Sequence, residues 1–357
     1  MRRRGSVIAL MALLGGCHGF GRDISPIRLE PIVTLGATSG EGAIATTPSV
    51  GPHHPGGFWI VLPAYSAIGT LPLVFGDDGV FLGGLHGDST LAGSFSGPMF
   101  TRIGPGDSIW VFNNTGRVLV FGPRRTYARS VMLPVVPTDA LILADNRVIT
   151  TQDSGALISL FDANGVSVRE IGEIQHHAQG LNPVYPKHTI LPVGDGTFWT
   201  CTWHPQRQLE HWDTAGRLLR GIDQKDGRFP LQFEPSHLLQ ARDHAPATQL
   251  IPAWIDNNGR LWTVGYVPDQ HWQQGLAPED SVTSGAFRSP ISDFDKYDDT
   301  TIEVRNLVTG ELIASSRFDF MYEMVEPGVL AHAIRTAAGW HQVELMRVVF
   351  TEPASRP

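Results

Sequence analysis

The chain has 357 residues, 42% of them hydrophobic and 17% charged, with a formal net charge of −8. That balance supports a large buried core and excludes a disordered chain, and 39 Gly and 26 Pro with no Gly-X-Y period exclude collagen and imply many tight turns. The acidic sign excludes nucleic acid as a partner, and equally a hold on an anionic membrane through surface charge.

The first element is an export signal. Met1-Arg2-Arg3-Arg4 is basic, Val7 to Leu14 is apolar, and small residues Gly15 and Gly16 precede Cys17, a pattern too short to span a bilayer. Leu14-Gly15-Gly16-Cys17 resembles the bacterial lipobox, in which the cysteine becomes the acylated first residue; an ordinary cleaved signal is the alternative. On the lipobox reading residues 1–16 are the signal peptide, Cys17 is the lipidation site and residues 17–26 form a tether. The protein is then exported and lipid-anchored to a bacterial membrane, on its periplasmic or outer-surface face, with about 0.8 kcal/mol of anchoring per buried CH₂. Losing Arg2, Arg3 and Arg4 takes the charge from −8 to −11. Cys201 is the one other cysteine, so no intramolecular disulfide is expected, and a buried, inert thiol in an inner strand is the expectation for it.

From Ile27 onward the chain reads as short runs of β-formers bounded by Gly, Asp, Asn and Pro, with no sustained 3.6-residue period. Ile27 to Leu35 is one strand. Six paired runs follow: Gly57–Val61 with Leu73–Gly79, Ile109–Phe112 with Val118–Phe121, Arg147–Thr150 with Ile158–Phe161, Phe198–Cys201 with Gln208–Trp212, Leu261–Val264 with Thr301–Arg305, and Gly328–Ala333 with His341–Met346. Most share one plan, in which a Gly or Asp turn enters an apolar strand and an aromatic some 13 residues later leads to a turn ending in Gly. An internal repeat of that size marks a solenoid or propeller. We therefore expect an all-β chain, a six-bladed β-propeller of four-stranded antiparallel blades over residues 27–350, with 351–357 as a tail.

Alternation along each strand aims Trp110, Phe121, Phe161, Trp199, Trp212 and Trp262 between blades, as core. Gly165, Gly216 and Gly310 supply the positive φ of the hairpin turns. The sixth unit lacks an outer strand, and Ile27 to Leu35 has no blade of its own, so the N-terminal strand is expected to close the ring.

The Gly-x-Leu-Trp-Val and Phe-Asp-x-x-Gly pattern is similar to bacterial six-bladed β-propellers of the NHL-like superfamily, many of them lipoproteins. Val148 stands where Trp is usual, and the fifth unit departs by an insertion. The resemblance implies the fold and says little of function.

Two places break the repeat. Residues 267–299 make an insertion in blade 5, with Trp272, Phe287, Phe294 and Tyr297 among Asp269, Glu279, Asp280, Asp293, Asp295, Asp298 and Asp299. It reads either as a lid for a cationic or sugar-like ligand or as a solvated flap. Seven of the 14 histidines fall between 176 and 244. His176, His177, His188 and His237 are placed in the connections beside blade 4, and Trp203 and His204 in its second-to-third strand loop. Imidazoles there either line a ligand or metal site or are ordinary loop residues, and the resemblance implies that metal-binding relatives use His and carboxylates around the channel. No His-x-x-x-His, His-Glu-x-x-His, phosphate loop, EF-hand or Gly-x-Ser-x-Gly motif is present, so no residue is assigned a catalytic role.

The leading expectation is a non-catalytic, lipid-anchored propeller without a cofactor, binding a small molecule, glycan, peptide or envelope protein on its loop face. Its candidate contacts are His176, His177, His188, Trp203, His204, His237, Trp272 and Tyr297. The alternative is a metal-dependent hydrolase or lyase with a His/carboxylate site for a divalent ion at the central channel, its ligands unassigned and His188, His204 and His237 the first residues to substitute.

Overall fold

The computed structural model describes residues 27–63, 72–85, 97–152, 155–172, 188–193, 196–202, 208–223, 245, 249–276 and 293–352. Its strands form six four-stranded antiparallel sheets. The outer strand β1 (Ile27–Leu35) comes first. Blade 1 holds β2 (Pro48–Val50), β3 (Phe58–Pro63), β4 (Leu73–Gly76) and β5 (Phe81–Gly84), and blade 2 holds β6 (Pro98–Gly104), β7 (Ser108–Asn113), β8 (Arg117–Phe121) and β9 (Tyr127–Met132). Blade 3 holds β10 (Pro137–Ile142), β11 (Val148–Gln152), β12 (Ile158–Phe161) and β13 (Ser167–Ile171). Blade 4 holds β14 (His188–Val193), β15 (Thr197–Thr202), β16 (Gln208–Asp213) and β17 (Leu218–Asp223). Blade 5 has β18 (Gln249–Ile255), β19 (Arg260–Pro268), β20 (Asp298–Asn306) and β21 (Leu312–Phe318); blade 6 has β22 (Glu323–Glu326), β23 (Val329–Arg335) and β24 (His341–Phe350).

The sheet of blade 6 runs β1-β24-β23-β22, so the N-terminal strand is its outer strand. Ile27 pairs with Phe350 and Leu35 with Val343, which zips the two ends of the chain together and closes the ring.

Six hydrophobic clusters fill the six seams between blades. Between blades 2 and 3, Trp110, Phe112 and Val118 meet Val148 and Phe161; between blades 5 and 6, Trp254, Trp262 and Ile302 meet Ile27, Tyr322 and Leu330. The repeated aromatics are this cement: Trp110, Phe121, Phe161, Trp199, Trp212 and Trp262 are all buried. Cys201 is buried too, in the second strand of blade 4 rather than its inner one, against Leu209 and Leu261.

The turn chemistry recurs for a local reason. Asp162 Oδ1 accepts from the Asn164 and Val166 N–H groups, fixing the turn that Gly165 completes at φ +85°. A β-carbon on Gly165 would collide with the Met132 carbonyl of the preceding blade. Asp256 repeats the device with Asn258 and Arg260.

The first strand of each blade lines the axis, with β6 touching β10, β10 touching β14 and β14 touching β18. Asp139 stitches three of them. Its carboxylate takes Arg102 Nη2 from blade 2 and, at 2.8 Å, the Ile190 N–H of blade 4.

Candidate functional site

Because strands alternate in direction, the second-to-third strand loops and the blade-to-blade connections gather on one face. The blade 5 excursion rises there. The ladder of β19 and β20 runs on to Val267 opposite Asp299 and Pro268 opposite Asp298, so the excursion spans 269–297, shorter at both ends than the repeat predicts. Polar partners such as Tyr266 opposite Thr300 extend the pairing without an apolar signal.

Of the excursion, residues 269–276 and 293–297 are described, and they form its base. The Asp269 N–H donates to the Tyr297 carbonyl at 3.1 Å and the Asp293 N–H to the Gly275 carbonyl at 3.1 Å. Trp272 packs edge-on against Tyr297, centroids 6.0 Å apart, so these two predicted contacts do meet. A β-carbon on Gly275 would lie 2.7 Å from the Asp293 carbonyl, which is why the two legs pack so closely.

Asp295 ties this base to blade 6. Its Oδ1 accepts from the Met321 N–H at 3.1 Å and its Oδ2 pairs with His332 Nε2 at 3.0 Å. His332 is 5% exposed, stacked on Phe320 at 4.9 Å, with Nδ1 3.8 Å from Glu344. Burial pulls the imidazole down, but the hydrogen bond it donates to Asp295 and the charges of Asp295 and Glu344 outweigh it and raise its pKa above the ordinary value.

At the start of β20, burial and the neighbouring Asp299 push the Asp298 carboxyl up to about 7. Asp298 Oδ1 is buried with no hydrogen-bond partner. The Tyr266 hydroxyl donates to the Tyr322 carbonyl at 3.3 Å, and burial, then the charges of Glu323 and Asp298, push its phenol up. Asp299 points to the other side of the sheet and is gripped by Arg317, Nε at 2.6 Å and Nη2 at 2.5 Å. One end of the blade 5–6 seam is thus polar and acidic, while Trp254, Trp262 and Val264 keep the rest of it apolar.

Toward the axis lies a cavity of about 180 Å³ between β2, β6 and β22, with Glu323 and Met324 on one wall and Thr101 and Arg102 on another. Among the described residues no group of three or more His, Cys, Asp or Glu side chains is disposed to hold a metal ion, and no helix is long and apolar enough to cross a membrane.

The other predicted positions are not assembled here. Cys17, His176, His177, Trp203, His204 and His237 lie outside the described residues. The backbone places His188 as the first residue of β14, opposite Thr202, rather than in a connection. His211 stacks flat on Trp199 at 4.6 Å and bonds Thr197 at 2.5 Å, a packing role. Sequence reasoning missed His332, Glu344, Tyr266, Tyr322 and Glu323. Alternation in β23 carried a signal, since it puts His332 on the same face as Leu330, which packs into the seam.

No protein-family model matches the chain, and no curated protein matches it. Among solved structures it is similar to a member of the DUF4221 family from Bacteroides vulgatus, with 11% identity over 91% of this chain and 99% of that one and a TM-score of 0.57. It is also similar to virginiamycin B lyase from Staphylococcus aureus, with 10% identity over 91% of this chain and 100% of that one and a TM-score of 0.50. At such identities the likeness is one of fold.

Proposed function

We propose that this protein is a non-catalytic binding propeller, lipid-anchored through Cys17, that takes a cationic or sugar-like ligand on its loop face beside the blade 5–6 seam. One observation carries the reading: Asp295 fastens the base of the excursion to His332 of blade 6, with Glu344 3.8 Å from the same imidazole. Phe294 and Phe320 stand exposed at this end of the seam, and exposed aromatics on a rigid scaffold suit recognition better than packing does.

The test is a screen of the purified protein against a glycan array and a library of Lys- and Arg-bearing peptides, repeated with residues 277–292 replaced by a short linker. Binding that is lost in the shortened protein supports the proposal, and binding that persists unchanged refutes it. One equivalent of zinc or calcium, lost on His188→Ala, would overturn this reading in favour of the metal-dependent alternative. The anchor is tested separately: Cys17→Ser should move the protein from the membrane fraction to the soluble one.

A further inference from the structure

The two exposed phenylalanines stand at one junction. The Met321 N–H donates to Asp295 Oδ1, and Phe320 and Phe294 immediately precede the two residues so joined. Phe320 is 47% exposed and Phe294 45%. The Phe320 ring is held in place, flat on His332 with centroids 4.9 Å apart and edge-on to Tyr322 at 6.4 Å. The imidazole therefore covers one face of Phe320 and leaves the other to solvent.

The charge around these rings is acidic and unbalanced. Lys296 is spent on Asp293 at 2.9 Å, Arg317 on Asp299 and His332 on Asp295. Among the described residues Asp319 forms no ion pair, and the one ion pair of Glu344 is its 3.8 Å approach to His332. Burial raises the Tyr322 phenol, and the charges of Glu344, Asp295 and Asp319 raise it further, which sets all three carboxylates about one ring.

We infer that this junction binds the guanidinium of an arginine in a partner polypeptide, its flat side on the open face of Phe320 and its N–H groups toward the carboxylates of Asp319 and Glu344. Ionised carboxylates only accept hydrogen bonds and a guanidinium only donates them, whereas a sugar hydroxyl has acceptor lone pairs to satisfy as well. A lysine ammonium carries the charge, but it is compact, strongly hydrated and cannot stack flat on a ring. Open surface buries too little of a free small guanidine, so the arginine belongs to a chain that covers the surrounding surface too. The inference rests on the loop-face reading and narrows its ligand from a cation or sugar to arginine.

Isothermal titration calorimetry with an end-capped Gly-Ser-Arg-Ser-Gly peptide tests this, alongside versions carrying lysine or citrulline in the arginine place. The arginine peptide should bind saturably, the lysine peptide about threefold more weakly and the citrulline peptide, planar but uncharged, about tenfold more weakly. Phe320→Ala should weaken the arginine peptide about fivefold while Phe320→Trp keeps its affinity, and Asp319→Asn combined with Glu344→Gln should weaken it about tenfold. Equal binding of the arginine and citrulline peptides, an unchanged affinity in Phe320→Ala, or no saturable binding by about 5 mM would overturn the inference. An excursion-dependent glycan on a protein that ignores the arginine peptide refutes the inference and leaves the loop-face reading standing. Arginine binding lost in Phe320→Ala yet kept when 277–292 is shortened supports the inference and refutes the excursion's part in that reading.

Discussion

Asp298 makes the site costly to the fold, and the cost can be measured. Its carboxyl is pushed from 3.8 up to about 7 by burial and by Asp299, with one oxygen unpartnered. Below pH 4 the carboxyl is protonated whether the chain is folded or not, and it contributes nothing. Between about pH 4 and 7 the unfolded chain ionises first, so stability falls as pH rises, by about 1.4 kcal/mol per unit. Above pH 7 the full penalty applies, and three units make it about 4 kcal/mol. Asp298→Asn removes the ionisation, so the variant should match the wild type near pH 4 and exceed it by up to about 4 kcal/mol at pH 8.5. For a chain this long that is roughly 6 °C in melting temperature. Differential scanning calorimetry at pH 4, 5.5, 7 and 8.5 measures it. A variant no more stable than the wild type at pH 8.5, or one whose advantage does not grow with pH, refutes the reasoning.

Three further outcomes follow from the same geometry. Asp139→Ala strands Arg102 and the Ile190 N–H inside the ring and should cost about 3–5 kcal/mol in urea unfolding, much more than an exposed pair such as Arg28 with Glu30. Deleting residues 27–35 opens the ring and bares the β24 edge, so the protein should melt earlier and elute as aggregate on gel filtration; an unchanged melting temperature would refute the closure. The raised pKa of His332 means that its pairing with Asp295 stabilises the fold at pH values below about 6.5 and is lost as pH rises through the folded value. Hydrogen exchange at 293–297 should therefore quicken from pH 6 to pH 9 beyond the intrinsic rate, and Asp295→Asn should flatten that dependence.

The fold was legible because its period is physical. A blade needs a seam on each face, so hydrophobic and aromatic residues recur at fixed distances from Asp-Gly turns, and Trp110, Phe161 and Trp262 announce the seams in the chain. The ring closure was legible by subtraction, from a strand without a blade and a blade without a strand. Inner strands were harder to see: β2 is three residues long, and β22 carries Glu323 and Met324 toward the cavity, so neither shows the alternation of a half-buried strand. The site was only half legible. The excursion announced itself by length and Trp272 and Tyr297 by composition, but Asp295 reaches His332 through tertiary packing, across 37 positions. Thr101, Arg102 and Glu323 come from inner strands of two blades that no local pattern brings together.

The blade 5–6 seam also predicts how a ligand should behave toward protons. A cation bound at its polar end favours the ionised form of Asp298 and so lowers that pKa, whereas a neutral sugar held by hydrogen bonds alone has no such field. With a starting value of about 7, the carboxyl is half protonated at pH 7, and binding a cation there should release up to about half a proton per ligand. Affinity should rise with pH between 5 and 8 for the same reason, the opposite of the trend for a ligand that needs a protonated histidine. Titrating a cationic loop-face ligand in phosphate and in Tris separates the two, because the apparent enthalpy shifts by the released protons multiplied by the buffer's ionisation enthalpy. Identical enthalpies in the two buffers would remove Asp298 from the binding site, leaving its buried charge as a burden on the fold without a ligand to account for it.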